Sequence, residues 1–264
     1  MLAGNGTNCE LEMAHACRLG GCDRVDIVHL SEIIHGGKRL EDYHFLNLPG
    51  GFLDGDDLGA ARAQANRFRH ATVAGSGERL ADQLLRFVAA GGLVLGVCNG
   101  FQLMVKLGLL PGFAGGLTQE VTLTANASGR FEDRWVSLAV NDSPCVFTRG
   151  LTSLYLPVRH GEGMFVPGEG LLERLEAERL VVMQYTDRAS GKPTMDYPAN
   201  PNGSVAAIAG ICDASGRLFG LMPHPEAFLH YTNHPRWTRE SLPEEGDGLA
   251  IFRNAARYIR ETLL

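Results

Sequence analysis

Long hydrophobic runs are missing from this sequence. None of its apolar stretches approaches the ~18 residues that a membrane-spanning helix requires. The first residues, MLAGNGTNCELE, contain no basic segment followed by an apolar one, which a secretory signal peptide would show. We therefore expect a cytoplasmic protein that does not cross a membrane.

An excess of positive charge is also missing. The 264 residues carry 24 Lys and Arg against 30 Asp and Glu, a formal net charge of -6. This balance argues against nucleic acid as the main partner. Apolar residues make up 45% and charged residues 20% of the chain, which is typical of a globular protein with a substantial core.

Paired metal-binding cysteines are absent as well. No two of the six cysteines form a Cys-x-x-Cys pair, so we expect no structural zinc site, and in a reducing cytoplasm we expect free thiols. Cys9, Cys17 and Cys22 lie close together in the sequence without metal-ligand spacing. We interpret these three as packing residues of a helix and a loop.

The first half of the chain alternates helical and strand patterns. Residues 9–19 are helical in pattern and end at two glycines, and residues 25–30 and 43–48 predict short strands. The segment ERLADQLLRFVAAGG (78–92) predicts a helix with Leu80, Leu84, Phe87 and Val88 on one face and glycines at its end. The apolar residues 93–97 are typical of a strand buried on both faces of a parallel sheet. This alternation predicts a doubly wound, flavodoxin-like α/β fold with a mostly parallel sheet and helices on both faces.

The second half is richer in strand patterns with short connections. VTLTANAS, WVSLAVN, LYLPV, LVVMQY and VAAIAGIC predict strands, and residues 213–216 predict the turn of a hairpin. Apolar residues from Leu249 to Leu263 recur at helical spacing and predict a final helix. We expect an antiparallel or mixed extension of the sheet and, without any repeat or linker, a single domain over residues 1–264.

The start of the chain is short for this fold. A doubly wound fold begins with a strand, but only Met1, Leu2 and Ala3 precede the GNGTN loop, fewer than the ~5 residues of a typical strand. One interpretation is a shortened start that lacks a first strand, and the other is a very short strand.

Cys98 stands between the apolar strand and a helical pattern, in GVCNGFQ. It is either a small buried apolar residue or a nucleophile on a tight strand-to-helix turn, where flanking glycines allow the bend and a close approach of substrate. A helix N-terminus would lower the pKa of the thiol, and the backbone N–H of Asn99 would stabilise a developing negative charge. Gly50-Gly51, at the end of another predicted strand, is a candidate second donor or a plain turn.

A thiol nucleophile also needs a base, and His224 is the histidine with the most informative context. It follows an apolar strand, and Pro225 favours an extended backbone in which His224 and Glu226 point the same way. A carboxylate in that position would fix the imidazole tautomer, as in a catalytic triad. The alternative is a surface histidine on a loop. His160, between Arg159 and Gly161, is a candidate for lining a pocket.

Several segments together resemble the class I, or triad, glutamine amidotransferases. They are GTNCE, LPGGFLDGDDLGA, LGVCNGFQLMVKLGLLPG, PVRHGEGMF, YPANPNGS and GLMPHPEA. Within that family the chain looks most like the small glutaminase subunits of phosphoribosylformylglycinamidine synthase, because GGFLDGDDLGA, RHGEG and YPANPNGS narrow the match. The resemblance runs from about Gly4 to the last helix.

The resemblance implies a role for each matching residue. Cys98 would attack the side-chain amide of glutamine, His224 would take the thiol proton and then protonate departing ammonia, and Glu226 would hold His224. The N–H groups of Gly51 and Asn99 would form the oxyanion hole. The glutamine pocket would be shaped by Gln102, His160 and Gly161.

The sequence contains no G-x-x-x-x-G-K-[ST] loop for nucleotide phosphates. The resemblance therefore implies that ATP and Mg²⁺ are used by a large synthetase subunit, with a third small subunit as a further partner, and that this chain carries no cofactor or metal. We expect a partner-facing surface around the Cys98 pocket that includes GGFLDGDDLG and the loop at 186–203. Asp54, Asp56 and Asp57 are interpreted as solvated side chains rather than metal ligands.

Three other functions stay open at this stage. The chain could be the glutaminase of another amidotransferase pathway, such as one that feeds GMP, CTP or anthranilate synthesis. It could be a cysteine hydrolase or peptidase of the same superfamily, although we would not expect the His-Pro-Glu segment there. It could also be a non-catalytic regulatory module, which an intact set of Cys98, His224 and Glu226 argues against.

Overall fold

The computed structural model describes residues 1–53, 59–115 and 117–264. Its helices are α1 (Glu10–Gly20), α2 (Leu30–Ile34), α3 (Arg62–His70), α4 (Leu80–Ala89), α5 (Asn99–Leu107), α6 (Leu171–Ala177) and α7 (Leu249–Thr262). Its strands are β1 (Leu2–Ala3), β2 (Val28–His29), β3 (Phe45–Leu48), β4 (Leu93–Val97), β5 (Val121–Ala125), β6 (Glu132–Val140), β7 (Ser153–His160), β8 (Glu162–Pro167), β9 (Val181–Thr186), β10 (Ile208–Cys212) and β11 (Leu218–Leu221).

Across the described ranges, seven strands form the central sheet in the order β3-β4-β11-β10-β9-β6-β7. Strand β4 pairs in parallel with β3 on one side and with β11 on the other. Every residue of β4 is buried, as its continuous apolar run predicts for a parallel strand covered on both faces. The α/β fold class is confirmed, and β4 and β11 form the part of the sheet that carries the site.

The rest of the central sheet is antiparallel. Strand β10 turns back on β11 through the tight turn at residues 213–216, which confirms the predicted hairpin. Strands β9, β6 and β7 then continue the sheet in antiparallel order. A separate two-stranded antiparallel sheet joins β5 with β8. The predicted mixed extension is therefore larger than the parallel part.

The start of the chain forms a short strand. Leu2 and Ala3 pair in parallel with Val28 and His29 in a two-stranded sheet, and the Val28 N–H donates to the Met1 carbonyl at 2.8 Å. The strand predicted at residues 25–30 is correspondingly short, because Leu30 already begins α2. His29 accounts for that early switch: its ring nitrogen caps the helix by accepting from the Ser31 N–H.

The helices cover both faces of the sheet as their apolar faces predict. Helix α1 ends where Gly21 adopts a left-handed conformation, so the predicted glycine stop is confirmed. Helix α4 buries Leu80, Leu84 and Phe87, whereas Val88 is only partly buried. The buried apolar residues of the described chain form a continuous cluster that runs through the sheet and both helix layers. That the chain is a single domain stays a prediction.

The helices of the described ranges are all too short or too polar to cross a membrane.

Candidate active site

Cys98 lies at the sharp turn between β4 and α5. Its backbone has φ 51° and ψ -104°, a conformation that residues with a Cβ rarely adopt and that costs of the order of 1–3 kcal/mol. The turn is held from both sides, since the Cys98 N–H donates to the Leu221 carbonyl at 2.8 Å and its carbonyl accepts from the Gln102 N–H at 3.0 Å. This strained strand-to-helix turn is the geometry expected of a nucleophile.

The glycines on either side of Cys98 allow two close approaches. A Cβ on Gly96 would lie 2.7 Å from the Gly100 carbonyl carbon, so Gly96 lets the helix fold back over its own strand. A Cβ on Gly100 would overlap the Leu48 carbonyl at the end of β3. Both glycines of the GVCNG segment are thus required by packing, and they seat the first turn of α5 directly on the carboxyl ends of β3 and β4.

His224 reaches Cys98 because the strands that precede them are neighbours. Leu221 of β11 is paired with Val97 of β4, so both chains leave the sheet at the same edge. The His224 N–H donates to the Pro157 carbonyl at 2.8 Å, which fixes the backbone of the segment after β11. Residues that are far apart in the sequence are therefore brought together by one parallel strand pair.

Glu226 holds the imidazole of His224. The distance from His224 Nδ1 to Glu226 Oε1 is 2.5 Å, and both side chains are buried. Burial lowers the pKa of His224, but the Glu226 carboxylate and interactions with the thiols of Cys9 and Cys98 outweigh it and raise this pKa well above its ordinary value. When Nδ1 carries the proton donated to Glu226, Nε2 is left to accept the proton of a thiol.

The two backbone N–H groups predicted to form the oxyanion hole belong to Asn99 and Gly51. Asn99 is the first residue of α5, so its N–H has no acceptor within the helix. Gly51 (φ 141°) is bridged to Thr7, and the flanking bonds from Asn8 N–H to the Gly50 carbonyl and from Phe52 N–H to the Gly6 carbonyl leave the Gly51 N–H outside the bridge. Gly51 and Cys98 line the same cavity.

That cavity has a volume of about 660 Å³, within the range of about 300–1,000 Å³ that is typical of small-molecule sites. Of the predicted site residues, Gly51, Cys98, Gln102, His160, Gly161 and His224 line it. Asn99 and Glu226 lie behind this lining, each buried and bonded to a residue that does face the cavity. The structure thus brings all the predicted site residues to one place.

His160 forms a buried wall of the cavity. Its Nδ1 lies 3.1 Å from Asn126 Oδ1, while the Asn126 amide donates to the His160 carbonyl at 2.7 Å. Burial and the nearby His224 lower the pKa of His160 to about 3, so this ring is neutral. With its proton on Nδ1, the neutral ring presents Nε2 as an acceptor.

Gln102 is bonded to protein at both ends of its amide. Its Oε1 accepts from Asn99 Nδ2 at 3.0 Å, and its Nε2 donates to the Glu162 carbonyl at 2.5 Å. Asn99 Oδ1 in turn accepts from the Leu53 N–H at 3.3 Å. The side chain therefore links three segments around the cavity, and its predicted direct contact with glutamine stays a prediction.

The YPANPNGS segment forms a hydrogen-bonded support behind His160. Asn202 Nδ2 donates to the Tyr185 hydroxyl at 3.1 Å, and Asn202 Oδ1 accepts from Ser204 Oγ at 2.7 Å. Ser204 Oγ also lies 3.3 Å from the Gly163 carbonyl oxygen, to which it donates. The Asn202 amide lies close to Gly163 and, through it, to the His160 ring. Through these buried polar contacts, the YPANPNGS segment holds the backbone next to His160 in place.

Cys9 is the site residue that the sequence analysis missed. It lines the cavity, and its Sγ interacts with the His224 ring. The interpretation of Cys9 as a packing residue is therefore incomplete, although Cys17 and Cys22 do lie away from the cavity lining. The sequence does not indicate this position, because the loop of residues 4–9 reaches His224 through hydrogen bonds to the Gly50 carbonyl. No local sequence pattern predicts those bonds.

The acidic residues Asp54, Asp56 and Asp57 lie outside the described residues, as do residues 54–58 of the GGFLDGDDLG segment. The second segment predicted to face a partner is described: Met195 and Tyr197 are about half exposed there.

Comparison with known proteins places the chain in a family. Residues 1–259 match the model of the CobB/CobQ-like glutamine amidotransferase domain. The chain belongs to this glutamine amidotransferase family. Among curated relatives of this amidotransferase, phosphoribosylformylglycinamidine synthase subunit PurQ of Dehalococcoides mccartyi is 48% identical over 258 residues, covering 97% of this chain and 95% of the relative. The PurQ subunit of Methanococcus maripaludis is 40% identical over 272 residues, covering 99% and 98%.

Solved structures agree with this assignment of the amidotransferase. The structure of PurLQS from Thermotoga maritima contains a chain with a TM-score of 0.71 and 27% identity, covering 98% of this chain and 96% of that one. A GMP synthase subunit from Thermoplasma acidophilum matches with a TM-score of 0.53 at 14% identity, which shows a shared fold only. The predicted resemblance to the class I amidotransferases is confirmed.

Proposed function

We propose that this chain is the glutaminase subunit of a phosphoribosylformylglycinamidine synthase. It hydrolyses L-glutamine to glutamate and ammonia, and the ammonia converts formylglycinamide ribonucleotide to formylglycinamidine ribonucleotide on a partner subunit during purine biosynthesis. The observation that carries the proposal is the buried pair of His224 and Glu226 at 2.5 Å, with Cys98 beside the same imidazole at the start of α5.

The first half of the reaction is a thioester formation. Cys98 transfers its proton to His224, and the sulfur attacks the side-chain carbonyl carbon of glutamine. The negative charge that develops on the carbonyl oxygen is stabilised by the N–H groups of Gly51 and Asn99. His224 then gives its proton to the departing nitrogen, so that ammonia leaves and a γ-glutamyl thioester remains on Cys98.

The second half is hydrolysis of that thioester. Water loses a proton to His224 while its oxygen attacks the thioester carbon. The carbon–sulfur bond then breaks, His224 returns its proton to the sulfur, glutamate is released and the Cys98 thiol is restored. Glu226 stabilises the imidazolium that forms in both halves and keeps the ring in one orientation. His160 and Gly161 shape the wall on which the substrate rests.

The ammonia is used elsewhere. We propose that ATP and Mg²⁺ are bound by a large synthetase subunit and that a third small subunit completes the complex. Support comes from the PurQ relatives, which are named as subunits of the synthase, and from the fold match to a chain of PurLQS. We also propose a cytoplasmic location. No observation favours the alternative pathways, a peptidase or a regulatory module.

Replacing the nucleophile tests the proposal. In the reconstituted complex, Cys98→Ala should abolish glutamine-dependent synthesis and leave synthesis from added ammonium salts close to the wild-type rate, since only the glutaminase step uses this thiol. Both rates are measured by product formation. Full glutamine-dependent activity in Cys98→Ala would favour a non-catalytic module, and loss of both activities would indicate that the variant no longer assembles with its partner.

A further inference from the structure

We propose that Cys9, His224 and Glu226 form an inhibitory binding site for a zinc ion. The three residues offer a thiol, an imidazole nitrogen and a carboxylate oxygen that all lie within 4.8 Å of one another. Sulfur, nitrogen and oxygen donors of this kind are the ligands that Zn²⁺ takes in proteins, at about 2.0–2.3 Å from the ion. Small movements of the side chains therefore complete three positions of a tetrahedral site.

The donor atoms have capacity to spare. Among the described residues, Glu226 Oε2 is buried without a hydrogen-bond partner, and its side chain is fully buried beside His224 Nδ1. Buried polar atoms usually have partners, so an unpaired carboxylate oxygen next to an imidazole nitrogen and a thiol indicates room for a ligand. Cys9 adds a third donor atom, whose Sγ also lies 3.2 Å from Asn8 Oδ1.

The surrounding backbone keeps the space between these groups open. Gly50 lies against both the imidazole and the Cys9 thiol, and a Cβ there would be 2.8 Å from His224 Cε1 and 3.3 Å from Cys9 Sγ. The Cys9 N–H donates to the Gly50 carbonyl at 3.3 Å, which holds the thiol in this position. An ion has a path inward, since Cys9 and His224 both line the cavity.

A bound zinc ion would stop the proposed reaction by binding Nδ1, the ring nitrogen that faces Glu226. The ion then takes the place of the proton shared with Glu226, and the remaining proton of the neutral ring lies on Nε2. The ring therefore has no free lone pair to accept the Cys98 proton. The inhibition therefore rests on the function proposed above, whereas binding of the ion does not.

Ion selectivity follows from the donors. Mg²⁺ and Ca²⁺ prefer six or more oxygen ligands, and a thiol with an imidazole does not provide them. Zn²⁺ would thus inhibit the glutaminase at concentrations at which Mg²⁺ has no effect on its activity.

Activity measurements test the inhibition. Micromolar Zn²⁺ should inhibit glutamine hydrolysis by the complex, a chelator should reverse the effect, and equal Mg²⁺ should not inhibit. Cys9→Ser should raise the zinc concentration for half-inhibition at least about tenfold, because loss of even an outer-shell partner commonly costs 10–100-fold in metal affinity. Cys22→Ser is the matched control, since it removes a thiol from the other end of α1, away from the cavity lining, and should be inhibited like the wild type.

Direct binding separates the site from the catalytic proposal. Cobalt(II), a spectroscopic substitute for zinc, should give a thiolate-to-cobalt absorption band with Cys98→Ala that disappears in the double variant Cys9→Ser/Cys98→Ala, with circular dichroism confirming that both are folded. A band that survives without Cys9, or no band with Cys98→Ala, overturns the metal site. A Cys9-dependent band in a chain that proves inactive on glutamine would leave the metal site standing and overturn only the proposed function.

Discussion

The pKa values of the two buried histidines of the cavity are shifted in opposite directions by their neighbours. His160 faces an amide, Asn126, and its pKa falls to about 3, whereas His224 faces the carboxylate of Glu226 and its pKa rises well above the ordinary value. Both rings are almost fully buried, so burial alone would lower both values. The opposite shifts of the two pKa values therefore follow from one difference in partner, an amide beside His160 and a carboxylate beside His224.

Replacing the carboxylate tests the role of Glu226. We expect Glu226→Gln to lower kcat for glutamine hydrolysis by about 10²–10⁴, the range associated with a general acid–base group and its orientation. The pKa of His224 should fall, because its largest raising influence is lost, so the limb of the pH–rate profile that reports it should move to lower pH. Kinetics across pH measure both effects. A profile that keeps its position would show that Glu226 does not set the protonation of His224.

The buried neutral His160 makes stability depend on pH. Its folded pKa of about 3 lies below the unfolded value of about 6.5, so the unfolded chain binds more protons and stability falls as pH drops below 6.5. Between pH 7 and pH 5 this group alone should cost about 2 kcal/mol of the free energy of unfolding. In urea titrations at the two pH values, His160→Gln should lose that much less than the wild type. Parallel losses in the two proteins would contradict the assignment.

At the scale of elements, the position of α5 depends on contacts that leave no room for a side chain. Gly100 approaches the Leu48 carbonyl so closely that an added Cβ overlaps it. The first turn of α5, with the Asn99 N–H and Cys98, is therefore located by the end of β3 as much as by its own strand. Sequence patterns predicted the helix and its glycines but not which strand end the helix rests on.

A methyl group at Gly100 should displace this turn. We expect Gly100→Ala to lower the free energy of unfolding by about 1–3 kcal/mol or more, the usual cost of overpacking, and to lower glutaminase activity with it. Gly37→Ala is the matched control, because its added Cβ would have only an ordinary contact, 3.4 Å from the Glu32 carbonyl oxygen. Urea unfolding monitored by circular dichroism compares the two variants. Equal stabilities would show that α5 can shift without cost.

The sequence predicted elements better where they are buried and regular. The run at residues 93–97, the hairpin turn at 213–216 and the glycine stop after α1 are local signals, and all three are confirmed. The strand at residues 25–30 was predicted too long, because the His29 cap starts α2 early and no propensity pattern includes that side-chain contact. The order of the strands in the sheet could not be predicted from the sequence, because pairings such as β9 with β6 join segments that are distant in the chain.

The candidate site was predictable to the extent that its residues sit in local motifs. Cys98, His224 and Glu226 were found from strand ends, a proline and a spacing of two, and the structure places them together as expected. Their catalytic roles stay predictions. Asn126 and Cys9 were missed, since each reaches the cavity through contacts between segments that lie far apart in the chain.

For the whole molecule, the fold distributes stability unevenly around the site. Strands β4 and β11 lie within the seven-stranded sheet, with a paired strand on each side and every residue buried. The β1–β2 pair consists of two residues in each strand. Breaking the backbone hydrogen bonds of β4 and β11 therefore requires disruption of the core, whereas the β1–β2 pair can unfold locally.

Native-state hydrogen exchange tests this distribution. Peptides that contain residues 93–97 and 218–221 should exchange most slowly, near the rate set by global unfolding, and peptides covering residues 1–3 and 28–29 should exchange faster by at least about tenfold. Mass spectrometry of the exchanging protein measures both. Equal rates would show that the short strand pair unfolds only with the rest of the molecule.

The parallel pairing of β4 with β11 has a consequence for how this chain tolerates change over evolution. Cys98 and His224 are brought to the same edge of the sheet by the pairing of two adjacent strands, about 4.7–4.9 Å apart, and not by the length of polypeptide that joins them. Insertions or deletions in the intervening loops should leave the reacting atoms in alignment. A one-residue slip in the pairing itself would instead disable the enzyme while leaving its composition intact.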